Sequence, residues 1–165
     1  MTSSSELLVN VDGSVSVVTG QVDLTGIRTT MMQIVAHELE IPLDFVTVKV
    51  ADTRSSLYTD GSFESRSTYT QSAALHKACQ EVMRQMKQLA TTRLKVQSTD
   101  VLYKEGAFYD KSNRDNIVTW EDVAILSRGR GEAGPISAQG VVTNLQPAPA
   151  FAAHVADVEV DVSTG

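Results

Sequence analysis

The sequence predicts an α+β fold: a mixed β-sheet with two main helices packed on it. Three observations lead there. Short alternating apolar runs flank Asp12-Gly13, a pair suited to a tight turn; one long helical stripe runs from Ser67 to Leu94; and strands and helices intermix without regular βαβ alternation. At 165 residues the chain has the length of one domain, and a chain of that size buries roughly 70% of the surface its unfolded form exposes. Residues 1–165 are therefore read as a single domain.

Taken in order, Leu8–Val11 and Val15–Val18 form an opening hairpin around Asp12-Gly13. Met31, Ile34, Val35 and Leu39 fall at helical spacing between Thr29 and Leu39, and Pro42 prevents continuation. Val46, Val48 and Val50 alternate with Thr47 and Lys49, the period of a strand with one buried face. Residues 54–64 are rich in Ser, Thr, Asp and Gly and lack apolar periodicity, so they read as a connection. In the long helix, Leu75, Cys79, Val82, Met86 and Leu89 share one stripe, while Lys77, Arg84, Lys87 and Arg93 take other faces. Val101–Tyr103 and Ala107–Tyr109 bracket Gly106 as a second hairpin, and Ile117–Thr119 adds a short strand. Thr119 then caps a helical turn over Glu121–Ser127. A loop over Gly129–Gly134 follows, then strands over Ile136–Thr143 and His154–Val162, separated by the Pro147-Ala148-Pro149 break.

Composition excludes several classes. Hydrophobic residues at 42% and charged residues at 21% are ordinary for a globular chain. A net charge of −6 with no basic run argues against a nucleic-acid partner. No apolar segment approaches the roughly 20 residues of a membrane span, and the start Met1–Glu6 lacks a leader's basic and apolar parts, so the expected location is cytoplasmic. The single cysteine, Cys79, cannot make an internal disulfide, an iron–sulfur cluster or a structural zinc site, and reads as core.

Gly129-Arg130-Gly131-Glu132-Ala133-Gly134 satisfies G-x-G-x-x-G, but it follows a helix instead of a strand and runs into Pro135, so a surface loop is the better reading than a dinucleotide site. His37, His76 and His154 lie on unrelated elements with no partner at ligand spacing, and none is assigned a catalytic role. Two segments carry more chemistry, because both set small and hydroxyl-bearing residues just before a helix. In Asp23–Thr30, Gly26 lets a ligand approach the backbone, and the first-turn N–H groups face outward. In Thr59–Thr68, alternate hydroxyls and Arg66 precede the long helix in the same manner. Taken singly, each is equally well a helix cap.

The order of segments adds a resemblance. Val11-Asp12-Gly13-Ser14-Val15 with Thr19-Gly20, Val22–Gly26 with Thr29 and Gln33, Glu38-Leu39, Ile41-Pro42, Val46–Val50 with Asp52-Thr53, Gly61–Thr68, and Ala152–His154 through Val158–Asp161 to Thr164-Gly165 together resemble the molybdopterin-binding large subunit of the xanthine dehydrogenase and aldehyde oxidase family. The resemblance spans nearly the whole chain and only part of that subunit, which makes the chain an excised or truncated segment. It implies a molybdenum-cofactor-dependent hydroxylase that oxidises aldehydes or N-heterocycles with oxygen from water. It also implies molybdopterin, plain or in a dinucleotide form, held in the full-length protein rather than by this chain alone. The implied partners are the remainder of the molybdopterin subunit and iron–sulfur and FAD subunits or domains.

Residue by residue, the resemblance makes Thr25, Gly26 and Ile27 of the first loop and Ser62, Phe63, Ser65 and Ser67 of the second candidates for contacts to pterin and phosphate groups. Two positions depart from the family. Its first loop commonly reads Gly-Gln-Gly, where this chain has Leu24-Thr25-Gly26-Ile27 without the glutamine, and Glu64 stands where a glycine is usual. The catalytic glutamate of the family lies downstream of the Val158–Asp161 strand; Glu132 lies upstream and does not match it, so no catalytic residue is carried over. The chain alone is then expected to be inactive. The alternative is a non-catalytic interaction or assembly module that keeps the fold.

Overall fold

The computed structural model describes residues 1–128, 134–146 and 151–165. The loop expected over Gly129–Gly134, apart from Gly134 itself, and the Pro147–Pro149 break lie outside the described residues.

Seven strands and three helices form the described part: β1 Ser3–Val9, β2 Val15–Thr19, α1 Ile27–Leu39, β3 Val46–Val50, α2 Ser67–Leu94, β4 Val101–Lys104, β5 Ala107–Asp110, β6 Ile117–Thr119, α3 Trp120–Leu126 and β7 Ile136–Val142. The main sheet has the order β3-β2-β1-β7 and is mixed, since β1 pairs antiparallel with β2 and β7 while β2 and β3 run parallel. That parallel pair requires a crossover, which α1 supplies, so the fold holds one βαβ unit inside an otherwise antiparallel sheet. A separate antiparallel sheet, β4-β5-β6, was not distinguished by the sequence pattern.

Both main helices cover one face of the main sheet. Leu7, Val9, Val15, Val17, Val46 and Val48 from the strands meet Met31, Val35 and Leu39 of α1 and Leu75, Ala78, Cys79, Val82 and Met86 of α2 in one continuous core. Each large apolar side chain buried this way contributes roughly 2 kcal/mol. α2 lies closest to β7. A Cβ on Gly140 would sit 1.8 Å from the Ala74 carbonyl oxygen, so only glycine lets the two backbones approach there. The helix ends follow local rules. α1 stops at Glu40 in the left-handed conformation, whose N–H returns to Ala36 and His37 carbonyls, and Pro42 follows. Thr119 caps α3 as expected, its hydroxyl accepting from the Asp122 N–H at 3.1 Å.

The small sheet is anchored through aromatics. Tyr103, Phe108 and Trp120 pack together, and the Trp120 indole N–H donates to the Gly13 carbonyl at 2.8 Å, tying this sheet to the first turn. The β4–β5 turn uses Glu105 and Gly106, both at positive φ, as a two-residue hairpin loop should. Cys79 is 2% exposed and its thiol is pushed up to about 12 by burial, first, and by the Glu38 charge, which fits an inert core residue.

Two expectations are corrected. β1 begins at Ser3, well before the apolar run at Leu8, because Ser3, Ser4 and Ser5 pair with β7 and are buried despite their polarity. The strand expected over His154–Val162 is not formed: residues 151–165 are exposed and pair with no strand among the described residues. Alternating valines supply an apolar face, but a strand also needs a neighbour for its N–H and C=O groups. Among the described residues no helix is long and apolar enough to cross a membrane.

Candidate functional site

The parallel strands β2 and β3 point their C-terminal ends at the same side of the sheet, and the chain leaves each of them into one of the two polar loops. Both loops then turn back into helices, α1 and α2. The crevice beyond the carboxyl ends of parallel strands is where such a sheet takes ligands. There the structure holds a polar recess of about 280 Å³, lined by Leu24, Thr25, Ile27, Thr30, Ser62, Ser65, Ser67 and Thr68. The loops that the sequence set apart by more than thirty positions thus meet across one cavity.

Of the residues named from the sequence, Thr25, Ile27, Ser62, Ser65 and Ser67 line the recess. Ile27 is also a core residue, 4% exposed, so it is a wall held from behind. Gly26 lies at the start of α1 with φ 79°, and an added Cβ would meet open space; its need for glycine is conformational. Phe63 is outside the lining and half exposed, its ring stacked under the Arg66 guanidinium at 4.3 Å.

Arg66, read from sequence as a cation for a bound anion, is committed elsewhere. It is buried and ion-paired with Asp60, whose carboxylate also accepts from the Thr2 N–H at 2.7 Å and the Tyr58 hydroxyl at 2.9 Å. Those bonds, the Thr2 N–H first and then Arg66, hold the Asp60 carboxyl down at about 2. The pair therefore ties the second loop to the N-terminal strand. Glu64, where the family usually has glycine, takes φ 53° and Ser65 takes φ 52°, the region glycine enters without strain. The Glu64 side chain is exposed and is not among the lining residues.

What remains in the recess is backbone N–H groups and hydroxyls. Among the described residues, the backbone N–H groups of Ser67, Thr68 and Tyr69 in the first turn of α2 meet no acceptor, its N-cap gives no side-chain bond, and no acidic residue lies in that turn. Ser62, Ser65, Ser67 and Thr68 line the same recess with hydroxyl-bearing side chains, and the Thr25 and Thr30 hydroxyls on the facing wall donate to the Leu24 and Gly26 carbonyls. Among the described residues no carboxylate lines the cavity. A neutral pocket of N–H and O–H groups at a helix start suits phosphate or the polar edge of a heterocycle. Among the described residues no group of three or more His, Cys, Asp or Glu could hold a metal ion.

Behind the recess lies a buried polar layer with no pattern in the sequence. The Gln71 side-chain oxygen Oε1 accepts from the Ser5 hydroxyl at 2.8 Å and lies 3.3 Å from the Thr19 hydroxyl. Gln21, 2% exposed, donates from Nε2 to the Ser67 hydroxyl oxygen at 2.8 Å. Nothing in composition or periodicity distinguishes these glutamines from surface ones.

Comparison with known proteins shows the family of the chain. A family model described as a molybdopterin cofactor-binding domain matches residues 1–165. The carbon monoxide dehydrogenase large chain of Hydrogenophaga pseudoflava is 28% identical over 143 residues, covering 85% of this chain and 18% of that protein. A putative xanthine dehydrogenase molybdenum-binding subunit of Escherichia coli is 24% identical over 163 residues, covering 96% of this chain and 22% of that protein. The solved carbon monoxide dehydrogenase of Oligotropha carboxidovorans superposes with a TM-score of 0.79 at 26% identity, over 86% of this chain and 18% of that one. The chain spans about a fifth of the length of the curated relatives it matches. It belongs to the molybdopterin cofactor-binding domain family, and the region it matches lies within the large or molybdenum-binding chains of carbon monoxide dehydrogenases and xanthine dehydrogenases.

Proposed function

We propose that this chain supplies one wall of a molybdopterin site in a larger oxidoreductase subunit, and that it does no chemistry alone. The observation that carries this reading is the convergence of the two loops on one donor-lined recess at the open first turn of α2. The N–H groups of Ser67, Thr68 and Tyr69 would hold a phosphate, with Ser62, Ser65 and Ser67 hydroxyls around it and Thr25 and Ile27 forming the facing wall. When bound, the cofactor supplies the metal-centred oxidation of an aldehyde or N-heterocycle carbon with oxygen from water. This chain's own residues orient the cofactor and shield its polar end; iron–sulfur and flavin partners and the catalytic base belong to the rest of the assembly.

The test is molybdenum and pterin content, with hydroxylase activity, in the full-length protein and in its Ser65→Asp/Ser67→Asp variant. Two carboxylates at the start of α2 are expected to lower both contents about tenfold or more, because they fill the donor set and repel phosphate. Equal loading of variant and parent would overturn the reading. A second reading, a non-catalytic assembly module, draws on Thr25 in place of the family's loop glutamine and on Glu64 at a position suited to glycine. It predicts that the parent stays empty of molybdenum and pterin under conditions that load a relative.

A further inference from the structure

We infer that Gln21 is a positioning residue: it sets the Ser62–Ser67 hydroxyl pair to donate into the recess, so that the cavity selects a hydrogen-bond acceptor such as phosphate. This rests on reading the recess as the cofactor's cradle. The residue is held rigidly. Gly20 before it passes the second loop so closely that a Cβ there would lie 2.5 Å from the Leu57 carbonyl oxygen. The Gln21 backbone N–H is 3.3 Å from the Thr19 hydroxyl, and its side chain is 2% exposed.

Counting hydrogens gives the direction. The Gln21 amide donates to the Ser67 oxygen at 2.8 Å, and the Ser67 and Ser62 oxygens lie 2.7 Å apart. The two hydroxyls own one hydrogen each, and the bond between them uses one, whichever serine donates it. One O–H hydrogen therefore remains, on Ser62 or on Ser67, and both residues line the recess. The chain of bonds ends in a donor because it begins in one. Its last hydrogen joins the open N–H groups of Ser67, Thr68 and Tyr69, so every group counted here offers a hydrogen. A carboxylate at position 21 would reverse the chain: Ser67 would donate inward, Ser62 would donate to Ser67, and only lone pairs would face the ligand.

Inorganic phosphate, titrated into the ¹⁵N-labelled 165-residue chain and followed by NMR, tests both levels. The wild type is expected to shift the amides of Ser67, Thr68 and Tyr69 together with the Gln21 side-chain amide, which should exchange slowly with water. Gln21→Met, which only frees the pair to rotate, should weaken phosphate about threefold, and Gln21→Glu about tenfold or more. A merely structural role would make Met and Glu at position 21 equivalent. If the wild type shifts at residues 67–69 but Gln21→Met binds as well as wild type, the Gln21 assignment fails while the recess stands. Rapid exchange of the Gln21 side-chain amide in the wild type refutes that assignment without any variant. If phosphate moves nothing at residues 67–69, the recess reading falls and this inference with it.

Discussion

The two helix starts that face the recess are built differently. At α1, the Ile27 N–H bonds to the Leu24 carbonyl at 3.3 Å and the Arg28 N–H to the Asp23 carboxylate at 3.2 Å, with Arg28 and Asp23 also ion-paired. The loop itself thus takes up two of the three first-turn N–H groups at that end. At α2, the corresponding N–H groups of Ser67, Thr68 and Tyr69 meet no acceptor among the described residues, and the nearby Asp60 is drawn off to Thr2, Tyr58 and Arg66. A self-capped helix start needs no ligand, and an open one at a cavity offers its dipole and donors to an anion. Within a single recess, α1 serves as wall and α2 as the binding end.

The largest effect should come from disturbing how α2 is seated. Gly140→Ala drives a methyl group into the Ala74 carbonyl, and a backbone shift at so close a contact should cost about 3 kcal/mol; urea denaturation measures it, and a loss under about 1 kcal/mol would show that α2 can move away cheaply. Next, Gln71→Ala removes the acceptor for the Ser5 hydroxyl beneath the open end and should cost about 2 kcal/mol, with faster amide exchange in the first turns of α2 but not in α1. Unchanged exchange would mean the buried layer does not hold that end.

Asp60 gives a pH signature. Its folded-state value near 2 lies below its ordinary 3.8, so its contribution to stability is present in full above about pH 5 and is lost as pH falls through the folded value. The melting temperature of the wild type should exceed that of Asp60→Asn near neutrality, and most of the gap should be gone at pH 2. A gap independent of pH would show that shape, and not charge, anchors the second loop. The smallest effect belongs to α1: Asp23→Ala should cost about 0.5–1 kcal/mol, a typical cap. It should leave phosphate shifts at α2 unchanged, and a matching loss there would erase the distinction between the two helix starts.

Much of this scaffold was legible before any coordinates. The 3.6-residue stripe of α2 placed Leu75, Cys79, Val82 and Met86 inside and the helix at Ser67–Leu94, because a long amphipathic repeat admits few other structures. The hairpin turns at Gly13 and Gly106 and the Thr119 cap were legible for the same reason: each depends on residues within a few positions. Strand β1 was half legible. Leu8 and Val9 of the expected run Leu8–Val11 lie in it, but Ser3–Ser5 are strand only because β7 pairs with all three and β2 with Ser5.

By itself, then, the sequence determined the α+β class, the long helix, the turns and the two hydroxyl-rich loops, all of which rest on local periodicity and backbone preference. The order of its motifs also pointed to the family that comparison then showed. Only the tertiary structure decided that the two loops share a recess, that Arg66 is spent on Asp60, that Gln21 and Gln71 are buried, and that His154–Val162 pairs with no strand among the described residues. Those outcomes depend on which hydrogen-bonding groups meet across distant segments. A polar side chain carries no mark in the sequence of whether its partner will be water or another part of the fold.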